Sequence, residues 1–203
     1  MNARVEVHWV APGAPLPVLP AEGVSVIGIT GQPDRETARL GIRTALRTAL
    51  AAHWAVDEDM VELQSPPGEA PWALVRLAGA PRRIPLAISH DGDVSVGAFA
   101  AGNAVGIDIS QVVPVPDWEA VARDYLGLEV VRALGALPAV ERDAAFARAW
   151  SGHEARLKYF GLQLEEWSAE RAAGLLDCRC VDLAVPAGYV GFITLALTTG
   201  LAS

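Results

Sequence analysis

The sequence predicts an α+β fold, and three observations carry that expectation. Short apolar or alternating segments cluster before residue 111 and return after residue 180, with an Asp91-Gly92 step between two of them, the composition of a tight hairpin. Two stretches of helical period, 35–54 and 139–159, are each long enough to cover a small sheet. Each half of the chain thus mixes one long helix with a small antiparallel meander. The order is compatible with a duplicated unit, although no sequence repeat is discernible.

The elements follow in order. Residues 5–10 alternate as a first strand, the proline-rich APGAPLPVLPAEG must be a loop, and 24–29 form a second strand. Asp34 is placed to N-cap a helix over 35–54, whose apolar stripe runs through Ala38, Leu40, Ile42, Ala45, Leu46 and Leu50. That helix carries Arg35, Arg39, Arg43 and Arg47 four apart, along one face with a slow drift. The pattern fits a solvated face or a phosphate-binding one. An extended segment at 60–63, a turn at SPPGEAP, a strand at 72–77 and a basic turn at AGAPRRIP come next. Strands at 86–89 and 94–100 are joined by HDGD, and a buried strand at 105–109 follows almost at once. Helices over about 117–134 and 139–159, the second with Gly161 placed to cap its C-terminus, a less regular stretch at 162–177, and strands at 180–185 and 189–197 complete the chain.

With 203 residues and 52% apolar content, the chain can fill a substantial core. A formal charge of −8 excludes general nucleic-acid binding, which needs a basic surface. Cys178 and Cys180 form neither a disulfide framework nor a zinc pattern, and both read as reduced thiols. The N-terminus lacks the features of an export signal and no run reaches the ~18 apolar residues of a membrane span, so no membrane role and a cytoplasmic location are expected.

Two separated segments carry chemistry. Asp108 lies in the apolar run 105–109, and Glu154 lies in a helical stretch 46 positions later. Two buried carboxylates are tolerable where they share a cation, which points to a metal site. Glu154 and Lys158 stand at i and i+4 with Trp150 one turn earlier, a spacing that fits either a plain ion pair or a reactive face. Ser89 and His90, with Arg82 and Arg83 upstream, form a compact set of anion donors, although a lone histidine at a strand end is often structural.

Taken in order, ISHDG, VGIDIS and WSGHEARLK resemble the signature blocks of 4′-phosphopantetheinyl transferases, in the larger single-chain type of secondary metabolism. The resemblance covers about residues 35–200. It implies a pseudodimer of two similar α+β halves, 1–110 with His90 and Asp108 and 111–203 with the Glu154/Lys158 helix, forming one compact monomer with the active site in the cleft between them. It also implies transfer of phosphopantetheine from coenzyme A to a serine of an acyl or peptidyl carrier protein in polyketide or nonribosomal peptide biosynthesis. In that reading Asp108 and Glu154 hold Mg²⁺, or Mn²⁺. Glu154, Lys158 and His153 are the catalytic candidates, and Arg43, Arg83, Ser89, His90 and Lys158 bind the coenzyme A phosphates.

The chain departs from the family pattern at three positions. His153 stands where a lysine precedes the glutamate, Ser110 where a second acidic residue is common, and Glu69 in a turn that usually carries a cation. These departures leave open a repurposed fold, acting as a cyclase, lyase or carrier-binding accessory protein. A docking patch for the carrier is expected around Arg132, Leu134, Arg142 and Arg148.

Overall fold

Alternation and burial divide the strands between two sheets, as seen in a computed structural model that describes residues 4–11 and 23–197. The first sheet contains β1 (His8–Trp9), β2 (Val24–Thr30), β3 (Val61–Gln64), β4 (Trp72–Val75), β5 (Arg82–Asp91) and β6 (Val94–Ala100) in the order β1-β2-β6-β5-β4-β3. All its pairings are antiparallel except β1 with β2. The second contains β7 (Gly106–Gln111), β8 (Arg179–Asp182) and β9 (Tyr189–Leu195) in the order β7-β9-β8, all antiparallel. The fold is therefore mixed α+β, as the sequence predicts. Most of the expected proline-rich loop lies outside the described residues.

Helix α1 (Arg35–Trp54) starts where expected, because Asp34 Oδ1 accepts from the backbone N–H groups of Glu36 and Thr37, both at 2.9 Å. Those bonds, led by the one from Thr37, hold the Asp34 carboxyl below its ordinary pKa. The apolar stripe of α1 packs Ile42, Leu46 and Leu50 onto Ile27, Leu86 and Phe99 of the first sheet, whereas Leu40, two residues from Ile42 and so about 200° around the helix, is exposed instead. Gly97 permits that approach, since a Cβ there would come 2.7 Å from Leu46 Cδ1. A second core, built from Val26, Val96, Ile107 and Ile193, draws its residues from both sheets.

Several elements differ from expectation. The expected single helix at 117–134 is broken into α2 (Trp118–Val121), a π turn at Ala122–Leu126 and α3 (Leu128–Gly135), parted at Gly127 with φ of 91°. Strand β5 is longer than expected because its two ends have different partners, Arg82–Pro85 pairing with β4 and Leu86–Asp91 with β6. The region read as irregular holds a short helix, α5 (Ala169–Gly174), capped by the Ser168 hydroxyl. Strand β7 follows the β5–β6 hairpin in sequence but leaves that meander and pairs with β9. Its side chains still face β5. The first strand is also divided, with Val5 bridging to Leu183 at the second sheet while His8 and Trp9 pair with β2.

Helix α4 (Ala139–Phe160) lies on β7 and β9. Gly106 makes the close approach feasible, since a Cβ there would overlap the Ala155 carbonyl oxygen and sit 2.5 Å from Tyr159 N. Gly161, with φ of 66°, ends α4 as the sequence suggests, its N–H donating to the Lys158 carbonyl. Among the described residues no helix is long and apolar enough to cross a membrane.

Candidate active site

Three elements converge on one carboxylate. Alternation along β7 turns Asp108 inward, where it is 6% exposed, between β5 and α4. Its Oδ1 accepts from Ser89 Oγ on β5 at 2.7 Å and from Lys158 Nζ on α4 at 2.6 Å. Lys158 Nζ also donates to Ser89 Oγ at 3.1 Å, closing a three-membered network. Ser110 Oγ donates weakly to Asp108 Oδ2 at 3.4 Å. A buried carboxylate with this many donors and an adjacent ammonium is well compensated.

Glu154 sits one turn before Lys158 and faces the same space. Burial is the main cause raising its pKa above the usual carboxylate range; the Asp108 charge adds to the rise and Lys158 opposes it. A cavity of about 350 Å³ is lined by Arg35, Ser89, His90, Asp108, Glu154 and Lys158. A second, of about 320 Å³, shares Ile88, Glu154 and Lys158 with it and runs between the turn bearing Glu69 and the 161–164 segment after α4. Glu154 and Lys158 thus stand where the two cavities meet.

His90 lines the first cavity with Nδ1 buried and without a hydrogen-bond partner among the described residues. Its pKa is lowered first by burial, then by the positive charges of Arg35, Arg39 and Lys158. An anion entering here meets a ready donor set of Ser89, His90, Arg35 and Lys158. Among the described residues no group of three or more His, Cys, Asp and Glu side chains is arranged to hold a metal. Three carboxylates line the cavity: Asp91, whose Oδ2 already accepts from Gln111 N–H at 2.8 Å, and the pair Asp108 and Glu154, with the Ser110 hydroxyl beside them.

Of the residues singled out in the sequence, Ser89, His90, Asp108, Glu154 and Lys158 are brought together, and three others are not. Arg43 donates to Ser65 Oγ at 2.6 Å and the Leu63 carbonyl at 2.9 Å, pinning α1 to β3. The reason is helical drift, about 40° for every four residues, which leaves Arg35 at the cavity and turns Arg43 away. Arg83 lies roughly 20 Å along β5 from Ser89 at ordinary strand rise. It stacks 4.4 Å over Trp72 and stands 3.7 Å from Glu69. His153 lines a different cavity across α4, because adjacent helical residues point about 100° apart. The spacing of the four arginines does not by itself separate Arg35 from the others, and its position in the first turn of α1 is the signal that sets it at the cavity.

Of the residues expected to form the docking patch, Arg132 is exposed and the other three are placed within the fold's own contacts. Arg142 donates to the Leu134 and Leu137 carbonyls and lies 4.8 Å over Trp118, while Leu134 is buried. Arg148 pairs with Asp182 at 2.5 Å and lies 5.0 Å over Phe192. Both guanidiniums serve the fold.

Residues 104–199 match the model of the 4′-phosphopantetheinyl transferase superfamily. The match spans 96 residues, just under half of the chain, and supports membership of that superfamily. No curated protein matches it. The matched stretch supplies Asp108, Ser110, Glu154 and Lys158, whereas Arg35, Ser89 and His90 come from the part of the chain before it. Membership points to phosphopantetheinyl transfer in general, a chemistry in which superfamily members act on coenzyme A and carrier proteins.

Proposed function

We propose that this phosphopantetheinyl transferase moves 4′-phosphopantetheine from coenzyme A to a serine of an acyl or peptidyl carrier protein. The observation that carries the reading is the Asp108–Ser89–Lys158 network with Glu154 beside it, at the junction of two cavities. We take the two sheets with their long helices as the halves of a pseudodimer and the space around Asp108 as its cleft. The enzyme then acts as a cytoplasmic monomer.

Asp108 and Glu154, with Ser110, suit a hard cation, since Mg²⁺ binds through one or two carboxylates and keeps waters and substrate phosphates as its other ligands. When bound, such a cation neutralises charge on the pyrophosphate oxygens. The remaining work falls to side chains. Ser89, His90 and Arg35 hold the nucleotide phosphates. Glu154, whose burial strengthens its hold on a proton, accepts the proton of the carrier serine. The serine oxygen bonds to the phosphorus that carries pantetheine. The bond from that phosphorus to the bridging oxygen breaks, and its electron pair leaves with adenosine 3′,5′-bisphosphate. Lys158 donates to the transferred phosphate as charge shifts across it.

A second reading draws on Glu69, a carboxylate lining the cavity beside Lys158 in a position unfavourable to an anion. It is a repurposed fold, a cyclase, lyase or accessory protein that binds a carrier without coenzyme A. Arg83 beside Glu69 offsets that charge and leaves the transferase reading ahead.

Calorimetric titration of coenzyme A with and without Mg²⁺ tests the proposal. Binding should depend on the metal, be lost in Asp108→Ala, and weaken at least tenfold more in Arg35→Ala than in Arg43→Ala. Carrier binding in the absence of any coenzyme A affinity would instead establish the second reading.

A further inference from the structure

A third cavity, of about 340 Å³, lies across α4 from the Asp108 site. Trp150, Glu154 and Lys158 line the first cavity, while Ala149, His153 and Arg156, one or two residues earlier on α4, line this one. Its apolar wall is formed by Tyr125 and Leu126 of the π turn and by Trp167 and Leu175 around α5. Trp167 is fixed in place, its backbone N–H donating to the Asp124 carbonyl at 2.7 Å and its indole resting on Gly127, where a Cβ would approach within 2.7 Å. The wall is therefore built before any ligand arrives.

The polar side of this cavity is incomplete. His153 Nε2 and Arg171 Nε are both buried with no hydrogen-bond partner among the described residues. The other nitrogens of Arg171 donate to the Glu165 carboxylate and, at 3.1 Å, to the Gln163 carbonyl. Arg156 Nη1 donates to the Gly152 carbonyl at 2.8 Å. The charged groups lining the cavity are Arg156, Arg171 and Glu165, leaving one excess positive charge. An unsatisfied buried donor is costly, and two at one apolar cavity call for an acceptor from outside the chain.

We propose that this cavity binds a small organic monoanion, an alkyl or aryl carboxylate. The carboxylate accepts from Arg171 Nε–H and from His153 in its Nε2–H tautomer, and the apolar body lies against Leu126, Trp167 and Leu175. The volume sits at the lower end of the ~300–1,000 Å³ found for ligand sites, which limits the ligand to a short chain or a single ring system.

Octanoate is the probe and octan-1-ol its uncharged counterpart, both titrated into the intact protein and followed by calorimetry or amide chemical shifts. Octanoate should bind at least tenfold more tightly than octan-1-ol, and Arg171→Gln should remove that preference. Because Arg171 also ties Glu165 and Gln163, Ala149→Phe provides a second test: it fills the cavity from α4, keeps every charge, and should abolish binding of both compounds. Equal affinity for the two, no binding of octanoate, or binding unchanged in Ala149→Phe overturns the proposal. Displacement of water alone from the cavity would give the second of these outcomes.

Discussion

Lys158 Nζ lies 2.6 Å from Asp108 Oδ1, joining the last turn of α4 to the centre of β7. The two partners are unequally placed: the lysine side chain is 32% exposed and the aspartate 8%. The ion pair fixes α4 relative to the second sheet, and through Ser89 it fixes both to β5 of the first. A single ammonium therefore ties the two sheets together at the point where the candidate chemistry is gathered.

That asymmetry predicts unequal costs when the pair is broken. Lys158→Met leaves the Asp108 charge buried with only hydroxyl donors, whereas Asp108→Asn leaves an ammonium that can turn toward water. Lys158→Met should lose about 2 kcal/mol of stability in denaturant titration and Asp108→Asn clearly less. Both should reduce transfer by roughly 10²–10⁴-fold. A larger stability loss in Asp108→Asn would contradict the burial argument.

Glu154 predicts an opposite stability effect and a pH dependence. A carboxyl whose folded-state pKa is raised contributes stability that is fully present below its unfolded value and is lost as pH rises through the folded one. Glu154→Gln cannot ionise, so it should melt higher than the parent chain at pH 7, with the difference closing toward about pH 4. The variant should nonetheless lose transfer. Equal melting midpoints for the variant and the parent at pH 7, measured without added metal, would contradict the burial argument.

The sequence and the structure agree best where local chemistry decides. Asp34 and Gly161 set helix ends through their own capping bonds, and the i, i+4 spacing of Glu154 and Lys158 put them on one face whatever lay opposite. Tertiary choices were not legible. Nothing within residues 94–111 announces that β7 leaves its meander for β9, because a short apolar strand is equally at home in either sheet. Arg35 and Arg43 share a helix and a spacing, and only the packing direction of α1 separates the one at the cavity from the one at β3. His153 and Glu154 are neighbours in a motif, yet the helix sends them to different cavities.

Gly106 provides the strictest test of the site's architecture, because its role is purely steric. Its backbone needs no left-handed conformation, so the absence of a side chain matters only for what lies above it. An added methyl meets the Ala155 carbonyl and the Tyr159 backbone N, neither of which can rotate aside as a side-chain tip would. Helix α4 must then lift from β7, and Lys158 and Glu154 move with it, away from Asp108 and Ser89. Gly106→Ala should cost about 2–3 kcal/mol, lowering the melting midpoint by roughly 5–10 °C, and should impair transfer at temperatures where the chain remains folded. The readout that separates displacement from simple instability is the lysine itself. Lys158→Met and Gly106→Ala both remove the 2.6 Å pair, so the double variant should be markedly less destabilised than the sum of the two single ones. Strict additivity would mean that α4 keeps its place on the sheet and that the strain is absorbed elsewhere.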